Sequence, residues 1–209
     1  LVGGLSALIF WAASLALPVL VSLILAVAAG FLLTGGFHED GLADTFDGIG
    51  GGPNKARALE IMKDSRLGTY GAAALFMALA LKAGALFALP PVWVCTALPL
   101  AHCLSRGSAV LVIATSRYVR DEGTGKPVAK GISAVTLVVT CLTLSGAVAI
   151  CLLVLPFVAV VSSFVAMCLM HVAMRAFFQP KLGGYTGDTL GAVQQASEIG
   201  IYLGLLAWL

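Results

Sequence analysis

Apolar residues run along this chain in long unbroken stretches, and the polar ones gather between them. Cutting the sequence at Pro, Gly and charge leaves seven apolar stretches, at approximately 1–17, 19–37, 69–89, 91–115, 131–154, 156–178 and 190–209. Each is close to the roughly 17–25 residues that a helix needs to cross the hydrocarbon of a bilayer. Backbone polar groups in lipid must be satisfied within the segment, which a helix achieves alone. The pattern therefore predicts an all-α fold, a polytopic transmembrane helical bundle of about seven spans. Pro18, Pro90–Pro91 and Pro156 fall between stretches, where the chain reverses without a polar loop. No internal repeat or separate soluble domain interrupts the pattern, so residues 1–209 read as a single integral membrane domain. The chain opens at Leu1 with no initiator Met and no basic leader, which reads as an apparently truncated N-terminus.

Composition agrees with lipid as the solvent. Of the 209 residues, 60% are hydrophobic and only 11% charged, against about 25% in ordinary soluble domains. The net charge of +2 and the lack of any Lys/Arg run exclude nucleic acid as a partner. Cys95, Cys103, Cys141, Cys151 and Cys168 all lie in apolar runs without metal-ligand spacing, and read as small buried hydrophobes.

Charge adds an orientation. The turns near Pro18, Pro90 and Pro156 carry no Lys or Arg, whereas segment 38–68 holds Lys55, Arg57, Lys63 and Arg66. Segment 116–130 holds Arg117, Arg120, Lys126 and Lys130, and segment 179–189 holds Lys181 just after Arg175. Basic loops stay on the cytoplasmic side. These three segments are thus expected to face the cytoplasm and carry the active site.

The first of them is also the acidic one. Six of the ten acidic residues fall between positions 39 and 64, and Asp40, Asp44 and Asp47 are spaced i, i+4, i+7. On a helix that spacing aligns three like charges on one face, which is unfavourable. No Lys or Arg precedes Lys55, so protonation, distant basic side chains or a divalent cation must neutralise them. Oxygen-only ligands favour a hard ion such as Mg²⁺ or Mn²⁺. Such an ion suits phosphoryl transfer, and the following Gly48–Gly52 stretch could bring backbone amides close to a phosphate or be a plain linker. Gly123–Pro127 is not a P-loop, because the upstream glycine is missing and Pro127 stands where Ser or Thr is required.

Three motifs in order carry a resemblance. Gly36–Gly48 (GFHEDGLADTFDG), Ile61–Gly71 (IMKDSRLGTYG) and Gly183–Ala192 (GGYTGDTLGA) are similar to the signatures of the cobalamin synthase (adenosylcobinamide-GDP ribazoletransferase) family. The resemblance covers nearly the whole chain; the family usually has some tens of residues more at the N-terminus. It implies a bacterial inner-membrane, Mg²⁺-dependent transferase. That enzyme would join adenosylcobinamide-GDP to α-ribazole, or its 5′-phosphate, releasing GMP.

Within that reading, Asp40, Asp44 and Asp47 are the expected metal ligands, with His38 as a base or an orienting group. Lys63 and Arg66 are candidates for the diphosphate. Asp64 is a partner for either or a further ligand, and Gly187 and Asp188 form a polar turn for metal or ribose. Arg106, in an i, i+4 pair with His102 at membrane depth, is expected to face the interior and help balance the acids. His171 and Arg175 repeat the spacing, and Lys82 is a further intramembrane cation. Two rival readings share part of this pattern. A CDP-alcohol phosphotransferase would need Asp-Gly-x-x-Ala-Arg, which Asp40-Gly41-Leu42-Ala43-Asp44 does not supply. A cation-coupled transporter would spread polar groups through the membrane depth. Self-association is left open by the sequence.

Overall fold

The computed structural model describes residues 1–120 and 132–209. Segment 121–131, with Lys126, Lys130 and the Gly123–Pro127 stretch, lies outside the described residues. Nine helices are seen among the described residues: α1 (Val2–Ser14), α2 (Val19–Thr34), α3 (Phe37–Gly51), α4 (Lys55–Ile61), α5 (Thr69–Ala88), α6 (Pro91–Thr115), α7 (Ala134–Cys151), α8 (Phe157–Leu182) and α9 (Gly187–Leu206). Every apolar stretch expected from the sequence is helical. Pro18, Pro90 and Pro156 each cap a helix N-terminus, where the missing N–H costs nothing.

Among the described residues four helices, α5, α6, α7 and α8, are long and apolar enough to cross a membrane, and α2 with α3 makes a fifth if that bent pair counts as one. At 13 residues, α1 rises only about 20 Å. The last stretch differs in character from the others: α9 is buried along almost its whole length and forms the axis of the bundle. It packs against α8, α6, α5 and α3. Its Gly200 and Gly204 let α8 approach closely, and the Ser162 hydroxyl donates to the Gly204 carbonyl at 2.7 Å.

The segment that departs most from a simple hairpin bundle is α3. Gly35 and Gly36 both take left-handed backbone, φ 64° and 69°, a conformation costly for residues with a Cβ. Two such residues in succession end α2 and start α3 at 86° to it. The acidic helix therefore turns sharply away from α2 and runs over the first turns of α9. Two apolar clusters hold this frame. One is built on Phe10, Leu23, Leu98, Tyr202 and Leu205, the other, beneath α3, on Leu42, Phe178, Leu182, Tyr185 and Val193.

Candidate active site at the crossing of two helices

The helices α3 and α9 touch backbone to backbone. A Cβ on Gly41 would stand 2.8 Å from the Asp188 carbonyl oxygen, and one on Gly191 3.0 Å from that of His38. Only glycine permits this approach, and it brings Asp40 and Asp44, on either side of Gly41, to the start of α9. There Thr186 caps the helix: the Thr189 amide donates to the Thr186 hydroxyl (3.2 Å) and the Thr186 amide to the Thr189 hydroxyl (2.8 Å). Asp188 thus sits in the first turn of α9, where the helix dipole favours a carboxylate.

The cation that meets these acids is Arg120. Its guanidinium donates to Asp188 Oδ2 at 2.6 Å and to the Met62 carbonyl at 3.4 Å. Two backbone bonds hold the strand-like segment before it: the Tyr185 amide donates to the Arg117 carbonyl (2.9 Å), and the Val119 amide to the Tyr185 carbonyl (3.0 Å). One guanidinium does not offset three carboxylates. Burial, then the charges of Asp40 and Asp188, push Asp44 up to about 7, with Arg120 opposing. Burial also raises Asp188.

Asp47 has a different setting. Its Oδ2 accepts from the Gly68 amide (2.7 Å) and its Oδ1 from the Gly71 amide (2.8 Å), so this α3 carboxylate caps the start of α5. Hydrogen bonds to a charged acceptor are worth about 1.5–3 kcal/mol. Asp47→Ala is expected to destabilise by that order, read as a lowered thermal unfolding midpoint in detergent; an unchanged midpoint would deny the cap. Lys63 is exposed, and Arg66 pairs with Asp64 on the surface at 2.5 Å. Those bonds draw Asp64 down to about 2. Gly48, Gly50 and Gly51 lie within α3, with their amides in its helix; Gly48 packs against Met62, Gly50 against Tyr70. They serve close packing, and no phosphate cradle forms. At the end of α3, Lys181 Nζ donates to the Ile49 and Gly52 carbonyls at 2.6 and 2.7 Å, matching a cation to the negative end of the helix.

Beneath α3 lies a polar network within the bundle. Lys82 Nζ is 3.1 Å from Glu198 Oε1 and 3.9 Å from Glu39 Oε1. Gln195 donates to Glu39 (3.0 Å), Gln194 to Glu198 (2.7 Å) and the Tyr202 hydroxyl to Glu198 (3.1 Å). Arg106 donates to the His102 carbonyl at 2.9 Å. It lines a small cavity with His38, Glu39 and Glu198, while the charge beside the aspartates is that of Arg120. Burial, then Arg106, holds His38 down at about 4, so its imidazole is neutral at pH 7. Further along, the Ser108 hydroxyl bonds His171 Nδ1 and Ser197 Oγ, both at 2.7 Å. Arg175 donates to Thr115 and Ser116.

The sequence reading missed Glu39, Glu198, Gln194 and Arg120 as site-forming groups. Gln194, Gln195 and Glu198, set in a mostly apolar stretch, were the available signal for the network. Arg120 had none, because only the folded pairing of residues 117–119 with Tyr185 brings it to Asp188.

Among the described residues, no three His, Cys, Asp or Glu side chains converge as a ready-made metal cage. The cluster suits a looser mode. Magnesium is commonly held by one or two carboxylates, with waters and substrate phosphate completing its shell. An oxygen-only donor set in which burial, and then the charges of Asp40 and Asp188, raise Asp44 fits a hard dication in that way.

A family described as cobalamin-5-phosphate synthase matches residues 1–206. The chain is 48% identical over 213 residues to proteins named adenosylcobinamide-GDP ribazoletransferase from Shewanella sp. (strain W3-18-1) and Shewanella putrefaciens (strain CN-32), spanning 99% of this chain and 79% of each relative. The like-named protein of Shewanella frigidimarina is 46% identical over 212 residues, 99% of this chain and 80% of the relative. No solved structure matches. With a match this long, at this identity, the chain belongs to the cobalamin-5-phosphate synthase family.

Proposed function

We propose that the chain is a membrane-embedded transferase that joins adenosylcobinamide-GDP to α-ribazole, or its 5′-phosphate, and releases GMP. Its expected place is the bacterial inner membrane, with the α3–α9 crossing on the cytoplasmic face. The observation that carries this reading is the close packing of α3, which bears Asp40 and Asp44, on the first turn of α9, where Asp188 is bonded to Arg120, in a chain whose relatives bear the transferase name. The basic residues Arg117, Arg120, Arg175 and Lys181 lie in or beside the segments that form this end, which supports the cytoplasmic orientation. Neither the CDP-alcohol phosphotransferase nor the transporter alternative finds support among the relatives.

In the reaction the ribazole hydroxyl oxygen bonds to the cobinamide-linked phosphorus of the diphosphate. The phosphoanhydride bond to GMP breaks, and GMP leaves with the electron pair. Mg²⁺, when bound, would neutralise charge on the diphosphate and its leaving group. Asp40 and Asp44 are the proposed holders of that ion, with Asp188 beside them, while Asp47 braces α3 against α5. His38, two residues before Asp40, is the proposed acceptor of the hydroxyl proton; its imidazole lines the neighbouring cavity with Arg106 and Glu198.

Purified protein in detergent, given both substrates, is expected to release GMP in Mg²⁺, to stop in excess chelator and to resume when Mg²⁺ is restored. No GMP under any of these conditions would remove the transferase reading. Release that chelator leaves untouched would remove the metal.

A further inference from the structure

We propose that Arg120 binds the substrate diphosphate, leaving its hold on Asp188 to do so; this rests on the transferase reading. The other described arginines and Lys181 at this end are engaged elsewhere or stand apart from the aspartates. Lys181 is bonded to the α3 carbonyls, Arg175 to Thr115, Ser116 and Gln179, and Arg117 to the Gly183 carbonyl. Arg66 lies on the surface, its side chain 88% exposed, bonded to Asp64.

Arg120 differs in place and in bonding. Its side chain is 11% exposed, and its Nε is buried with no hydrogen-bond partner among the described residues. A buried donor left unmatched costs free energy. A phosphate oxygen accepting from Nε beside a second one accepting from the guanidinium NH groups is the two-pronged arrangement that arginine favours. The guanidinium already lies against an aspartate of the proposed reacting centre, and the bonds between residues 117–119 and Tyr185 fix its backbone before substrate arrives. Asp188 then has two uses, holding the arginine in the empty enzyme and taking part in the acidic cluster once the arginine has moved to phosphate.

Lysine at this position keeps a charge for Asp188 but loses the fork. Arg120→Lys is expected to keep the wild-type unfolding midpoint and to bind GDP in Mg²⁺ about tenfold or more weaker. The KM for adenosylcobinamide-GDP should rise while that for α-ribazole stays put. Unchanged GDP affinity in a folded Arg120→Lys protein, beside an active wild type, would overturn the proposal; an inactive wild type would instead indict the transferase reading. If Arg120→Lys does not fold, the wild type still decides. Phenylglyoxal labelling of Arg120, read by peptide mass, should be blocked by GDP with Mg²⁺ and not by α-ribazole, and equal labelling with and without GDP would refute the assignment.

Discussion

Asp44→Asn is expected to end GMP release while leaving the protein folded, and in chelator the variant should be the more heat-resistant of the two. Both halves come from one electrostatic fact. Asp44 is pushed up to about 7 by burial and by Asp40 and Asp188, so the fold disfavours its ionised form. An acid whose folded pKa lies above its unfolded value gives stability that declines as pH climbs between the two, here from about 4 to about 7. Above that window the wild type carries the full penalty and the asparagine variant none. Unfolding midpoints measured at about pH 8 in chelator should therefore favour Asp44→Asn, and added Mg²⁺ should raise the wild type more than the variant. Turnover retained within about tenfold, or roughly 1.4 kcal/mol of barrier, would remove Asp44 from the reacting centre.

The second large effect concerns the bundle interior. Lys82→Met leaves Glu198 and Glu39 without their cation, at side-chain exposures of 4% and 10%. Breaking one side of a buried ion pair typically costs about 3–5 kcal/mol, whereas replacing both partners by neutral groups is often tolerated. Lys82→Met is expected to lower the unfolding midpoint sharply, and Lys82→Met with Glu198→Gln to recover most of the loss. A double variant as unstable as the single would show that the pair is not what Lys82 contributes.

Much of the fold was legible because lipid makes apolar runs and prolines nearly sufficient to draw the helices. A helix lies in each of the seven stretches, and the three prolines fall between helices, where the sequence put turns. What could not be read was partnership. The i, i+4, i+7 spacing would align three aspartates on a helix without itself predicting one; the segment folds as α3, and the capping of α5 by Asp47 depends on Gly68 and Gly71, more than twenty residues away. Lys82 was visible as an intramembrane charge, yet its direction was set by Glu198, which local spacing cannot connect to it. The glycines after Asp47 read as a phosphate cradle or a linker, and Gly48, Gly50 and Gly51 are neither: they continue α3, where Gly48 packs against Met62 and Gly50 against Tyr70, which only the folded structure shows.

The polar character of α9 bears on how the protein is made. A segment carrying Gln194, Gln195, Ser197 and Glu198 would partition poorly into bilayer on its own, since each such group is costly when lipid surrounds it. Its side-chain partners, Glu39, Lys82 and Ser105, all belong to earlier-synthesised helices. Biogenesis is therefore expected to deliver α9 into a cleft that α3, α5 and α6 have already shaped, so that a chain halted before residue 187 would lack the element that joins them.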